Sequence, residues 1–104
     1  MTAKKIEEFL LLLHESRFYD AHEVLEELWF PKRFHATNEV KLLKGFINAA
    51  VSFELLKRGR VKQSQKVWLN YLKYRQLLFS VNSPHLNQYY KLSRELENLQ
   101  RQLH

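Results

Sequence analysis

Apolar residues recur along this chain at spacings of three and four and nowhere alternate regularly with polar ones, so the pattern predicts helices and no strands. Five segments are readable. The first covers about residues 3–15, with Ile6, Phe9, Leu10 and Leu13 on one face. A link at Arg17, Phe18 and Tyr19 leads to the second, which is expected to start at Asp20 as N-cap, with Glu23 completing a capping box. It should end near Phe30, because Pro31 cannot continue the hydrogen-bond ladder. Residues 32–36 form a basic loop, and Thr37 or Asn38 can cap the third segment.

The third segment, about residues 39–58, is apolar nearly all round, leaving a narrow polar strip at Lys41, Gly45, Asn48 and Ser52. Such a helix belongs at the centre of a bundle. Gly59 is placed to close it as the first residue beyond the C-cap. The fourth segment is expected over residues 61–79, burying Trp68, Tyr71, Leu72, Leu78 and Phe79. Ser83 as N-cap, with Pro84 at the first helical position, signals the start of the last helix, expected over about residues 84–104. There Tyr89, Leu92, Leu96, Leu99 and Leu103 form a seam of coiled-coil type. The fold class expected is an all-α bundle of about five helices around a central apolar third helix, with residues 1–104 as one helical domain.

Composition narrows the function classes. With 104 residues and 45% hydrophobic content the chain can bury one core, and only two glycines and two prolines favour long helices. It has no cysteine, which excludes disulfides and thiolate chemistry and suits the cytoplasm, the expected location. Lys4 and Lys5 precede an apolar run at residues 9–13 that is too short for a signal peptide and has no small-residue cleavage site after it. No stretch is long enough to span a bilayer, so no membrane partner is expected. The net charge of +6 is unevenly spread: residues 1–29 hold three cations and seven anions, and residues 30–75 hold eleven cations and two anions. That asymmetry suits internal pairing, self-association or an acidic partner.

The segment from Tyr19 to Trp29 concentrates chemistry. His22, Glu26 and Trp29 fall at i, i+4 and i+7, so their side chains can share one pocket, whereas Glu23 and Glu27 point away. A half-buried His–Glu pair tunes a general acid or base or orients a metal ligand; it equally serves as a hydrogen bond at the margin of a core. Lys44 and Glu54 lie within the apolar arc of the third helix, where an unpaired charge is costly. Glu26 or Glu23 is the expected partner of Lys44, and Arg75 that of Glu54. The polar cluster read from the sequence is therefore His22, Glu23, Glu26, Trp29, Lys44 and Glu54.

Metal motifs are absent from the sequence. His22 and Glu23 open a His-Glu-x-x-His pattern, but Glu26 stands where its second histidine belongs. No histidine has a glutamate three residues before it, as di-iron bundles require. No metal or cofactor is expected. Arg58, Arg60, Lys62, Lys66 and Lys73 form a basic surface on and before the fourth helix that could grip phosphates, though no nucleic-acid-binding motif accompanies it.

The pattern Tyr19-x-Ala21-His22-Glu23-x-x-Glu26-x-x-Trp29 resembles the signature of a family of small helical proteins, domain of unknown function family 309. Leu43-Lys44-Gly45-Phe46-Ile47-Asn48-Ala49-Ala50 looks like a second segment of that family, and Gly59-Arg60 falls where it usually has Gly-Asn. The likeness covers about residues 15–75. It implies a small all-α bundle of uncharacterised function whose recurrent polar residues map onto His22, Glu23, Glu26, Trp29 and position 44. Lys44 replaces the usual glutamine, and Glu54 stands where a histidine or another polar residue is common. Three readings stay open: a structural or ligand-binding cluster, a metal-binding protein or hydrolase-like enzyme using His22 and Glu26, and an interaction module. The last would use the basic fourth helix against nucleic acid, a protein partner or a second copy.

Overall fold

A computed structural model describes residues 2–103, so Met1 and the expected last helical residue, His104, lie outside the described residues. Five helices follow one another: α1 (Thr2–His14), α2 (Phe18–Trp29), α3 (Asn38–Lys57), α4 (Val61–Arg75) and α5 (Leu86–Leu103). Short 3-10 turns at Phe30–Lys32 and Gln76–Phe79 extend α2 and α4, and the described residues contain no strand.

The helix ends follow from local chemistry. Ser16 takes a left-handed φ of 60°, which lets its N–H reach Leu13 O at 3.0 Å and the Arg17 N–H reach Leu12 O at 2.9 Å. Gly59, at φ 79°, closes α3 in the same way, with Gly59 N–H on Leu56 O at 3.0 Å and Arg60 N–H on Leu55 O at 2.9 Å. Both are Schellman closures. At the other end of α3, Thr37 Oγ1 accepts from the Val40 N–H at 3.2 Å.

The predicted capping box of α2 is not formed. Arg17 is the N-cap, so Asp20 falls inside the first turn, where it pairs with Arg17 at 2.9 Å and faces the positive end of the helix dipole. Burial decides this: the earlier start turns Phe18 inward onto Phe53, with ring centroids 5.3 Å apart, and a cap contributes less than an aromatic ring removed from water.

α3 is the central element, contacting α2, α4 and α5, while α1 packs against α2 and α5. Its predicted polar strip divides. Lys41 is exposed, but Gly45 and Ser52 are buried. Ser52 Oγ donates to Ser64 O at 2.7 Å, and Ser64 Oγ donates to Ser52 O at 2.8 Å, a reciprocal pair that stitches α3 to α4. Small side chains there mark close helix approach, not a solvated strip.

The fourth predicted helix is right up to Arg75. Beyond it the chain tightens to three residues per turn, which rotates the following positions. Leu78 stays buried, whereas Phe79 is 80% exposed, contrary to expectation. Ser83 Oγ accepts from the His85 N–H at 3.1 Å ahead of α5. Tyr89, Leu92 and Leu96 of its seam are fully buried within the chain, so that part of the seam is not a free face for a partner. No helix of the described residues is long and apolar enough to cross a membrane.

Candidate functional site

α2 turns Phe18, Ala21, Val24 and Leu25 into the core. That leaves Tyr19, His22, Glu23, Glu26, Glu27 and Phe30 as an outward stripe at spacings of three and four. With Pro31 they line an open hollow of about 470 Å³. His22 is fixed at both ring nitrogens. Nδ1 lies 2.6 Å from Tyr19 O, and since a carbonyl only accepts, Nδ1 carries a proton. Nε2 faces Glu26 Oε2 at 3.2 Å, and the Tyr19 ring meets the imidazole edge-on at 4.9 Å. The His22 side chain is 17% exposed and that of Glu26 46%, so the pair sits at the border between core and water.

Charge in the hollow is one-sided. Glu23, Glu26 and Glu27 line it, and no lysine or arginine does. Lys5 reaches across from α1 to Glu27 at 2.5 Å, and this hydrogen bond raises the Lys5 pKa. Glu23 has no cation at ion-pair distance among the described residues. Glu26 and His22 supply two donors that could hold a metal, but among the described residues no three histidine, cysteine or acidic side chains converge closely enough to hold a metal ion.

The six residues of the predicted polar cluster do not share one pocket. His22, Glu23 and Glu26 line the acidic hollow. Trp29 and Lys44 line a different one, where Lys44 Nζ stands 4.4 Å over the Trp29 ring. Lys44 therefore meets an aromatic face, not Glu26 or Glu23 as expected. Glu54 lines neither hollow and pairs with Arg58 at 2.6 Å, one turn along α3, where Arg58 also lies 5.9 Å from the Tyr19 ring; its expected partner Arg75 reaches Glu97 at 2.9 Å instead. The preference is local: an i, i+4 neighbour on the same helix needs no alignment of two helices.

The predicted basic surface is exposed at Arg58, Arg60, Lys62, Lys66 and Lys73. Arg58 is occupied by Glu54, and Lys73 Nζ lies 5.6 Å from the Tyr74 ring. Sequence reasoning missed the second hollow, whose walls include Trp29, Arg33, Phe34, Lys41, Lys44 and Tyr74. The adjacent cations Lys32 and Arg33 flanked by Phe30 and Phe34 were the available signal.

Two further polar clusters join helices. Tyr71 of α4 donates to Glu97 of α5 at 2.9 Å, Ser93 donates to the same carboxylate at 2.8 Å, and Arg75 binds its other oxygen. Burial pushes the Tyr71 phenol well above its ordinary value. Burial also pushes Glu97 up, but hydrogen bonds from Ser93, Arg75 and Tyr71 outweigh it and hold the carboxyl below the usual range. Tyr89 donates to Glu39 at 2.5 Å and Ser83 to the same oxygen at 2.7 Å; burial, then the Glu39 contact, raise the Tyr89 pKa. These groups partner one another, and no buried side-chain polar atom among the described residues lacks a partner. Their role is to fix α5 against α3 and α4.

No curated protein and no solved structure matches the chain. A family match extends over residues 6–67, taking in most of α1, all of α2 and α3, and the first half of α4. It starts earlier than the resemblance over residues 15–75 suggested and stops short of it at the other end, but it contains both the acidic hollow and the Gly45 segment. By that match the chain belongs to the family described as Domain of unknown function (DUF309).

Proposed function

We propose that this chain is a binding module whose α2 hollow receives a cationic group, such as a lysine or arginine side chain of a partner or an organic amine. The observation that carries this is the lining: three glutamates and His22 between the apolar walls of Tyr19, Phe30 and Pro31, with no lysine or arginine among them. Aromatic faces and carboxylates together suit a cation that carries its own apolar stem. His22 orients Glu26, and the carbonyl of Tyr19 orients His22, so the carboxylate is presented in a fixed position.

Titration with spermidine and with a short arginine-containing peptide, followed by backbone and side-chain NMR, tests this. Resonances of Tyr19, His22 and Glu26 should move together and saturate, and a Glu23→Gln, Glu26→Gln double variant should abolish the response. Unmoved resonances at millimolar ligand would end the proposal.

A second reading keeps the same residues as a metal-binding or acid–base pair. Its support is the Nδ1 anchor on a backbone carbonyl, the arrangement that commonly orients a metal-ligating histidine. Metal analysis of untagged protein, with thermal shifts on adding divalent ions, separates the two readings. A third, docking of an acidic partner on α4, draws on Lys62, Lys66 and Lys73, which have no ion-pair partner among the described residues, and on Leu69, 62% exposed in the same stripe.

A further inference from the structure

We infer that the hollow walled by Trp29, Phe34 and Tyr74 is a site for a planar anion, a nucleotide, taken either free or as one unit of a single strand. This hollow, about 330 Å³, shares no residue with the acidic one and stands independently of the binding role proposed there. Three cations, Arg33, Lys41 and Lys44, line it, and no acidic side chain does. None of the three forms an ion pair with a carboxylate among the described residues.

Two of these cations are held by rings instead. Lys44 Nζ sits over Trp29 at 4.4 Å, and the Arg33 guanidinium lies 3.6 Å from the Phe30 centroid and 4.4 Å from that of Phe34. Arg33 also donates to Phe30 O at 2.6 Å, which fixes the fork. A ring orients a cation without neutralising it, so the hollow keeps a concentrated positive charge that an anion can complete. Phe34 is 85% exposed although it is large and apolar. Its ring offers a flat surface beside the cations. Cations interleaved with exposed flat groups are what a phosphate and its attached base require, since the phosphate takes the charge and the base stacks. Lys73, beside Tyr74 on the rim, extends the positive surface along α4, the direction a longer strand would follow.

The test follows the two indole N–H resonances of the full chain, Trp29 in the hollow and Trp68 packed between Phe53 and Tyr71. Probes are adenosine and uridine monophosphates, a uridine oligonucleotide and inorganic pyrophosphate. The Trp29 resonance should shift saturably with nucleotide while Trp68 stays in place, and affinity should fall with added salt. Binding that tightens with oligonucleotide length identifies a strand as the ligand; equal affinity per monophosphate and oligonucleotide identifies the free nucleotide. Lys41→Glu should weaken binding by about tenfold or more, and Phe34→Ala by about tenfold, both at exposed positions that leave folding intact. Lys91→Glu on α5 changes the net charge equally and should leave binding unchanged. The inference is overturned by an unmoved Trp29 resonance, by equal losses in Lys41→Glu and Lys91→Glu, or by pyrophosphate binding as tightly as nucleotide.

Discussion

A β-carbon added to Gly45 of α3 would lie 2.6 Å from the Cβ of Tyr74 on α4. At this crossing the Tyr74 side chain therefore rests directly on the backbone of α3. The obstructing atom is the first carbon of the Tyr74 side chain, which moves only with its backbone, so an alanine at 45 must push α4 outward. Overpacking of this kind costs about 1–3 kcal/mol, and the better helix propensity of alanine returns up to about 1 kcal/mol. Gly45→Ala is expected to lower stability by roughly 1–2 kcal/mol. Chemical denaturation checks it: a variant as stable as the parent would mean that α3 and α4 can separate freely here.

Ser16 and Gly59 solve the same problem with different residues, both closing a helix at positive φ. Ser16 holds a left-handed conformation that favours glycine, whereas Gly59 has open space around the position of a β-carbon, so only its backbone matters. Ser16→Gly should raise stability by about 0.5–1 kcal/mol, and Gly59→Ala should lower it by about 1 kcal/mol. Thermal unfolding of the two variants should move in opposite directions. A shift of the same sign in both would refute the backbone account.

Much of the architecture could be read from residue spacing, because each helix carries its own periodic apolar face and Thr37, Gly59 and Ser83 mark boundaries through local hydrogen bonds. What escaped depends on partners far along the chain. The burial of Gly45 and Ser52 requires α4 to lie against them, and nothing near residue 45 announces Tyr74. The outward turn of Phe79 follows from a change of helical pitch at Gln76 that the apolar pattern does not encode. At the candidate site, the His22–Glu26 pair was legible because both residues sit on one helix. The placement of Trp29, Lys44 and Glu54 was not, since periodicity gives the face on which a side chain leaves but not which neighbour it meets.

The buried phenols of Tyr71 and Tyr89 make alkaline stability a readout of α5 docking. In the unfolded chain each ionises near its ordinary value of 10.0, while in the fold both stay protonated well beyond it. Their contribution is therefore complete below pH 10 and is lost as pH rises above it, by about 1.4 kcal/mol per pH unit for each phenol. Glu97 has the opposite sign. Its lowered pKa contributes above the ordinary carboxylate value of 4.5 and is lost as pH falls through the depressed one. Denaturation midpoints measured from pH 10 upward should fall, and Tyr89→Phe should flatten that slope by the share of one phenol. An unchanged slope would mean that Tyr89 does not stay protonated in the fold.

His22 separates a site from a structural knot. Its ring makes one hydrogen bond to a backbone carbonyl and one contact with a half-exposed carboxylate. The first contributes about 0.5–1.5 kcal/mol and the second, in contact with water, under about 1 kcal/mol. His22→Ala should therefore cost roughly 1–2 kcal/mol, whereas Leu25→Ala, which empties a fully buried position, should cost about 2–5 kcal/mol. With most of its fold retained, the His22 variant should still lose the response of Glu26 to cationic ligands, because nothing else holds that carboxylate in register. Denaturation curves and the amine titration, run on the same preparation, give both numbers. If His22→Ala unfolds the chain as severely as Leu25→Ala, the imidazole supports the structure, and the hollow beside it needs no ligand to explain the residue.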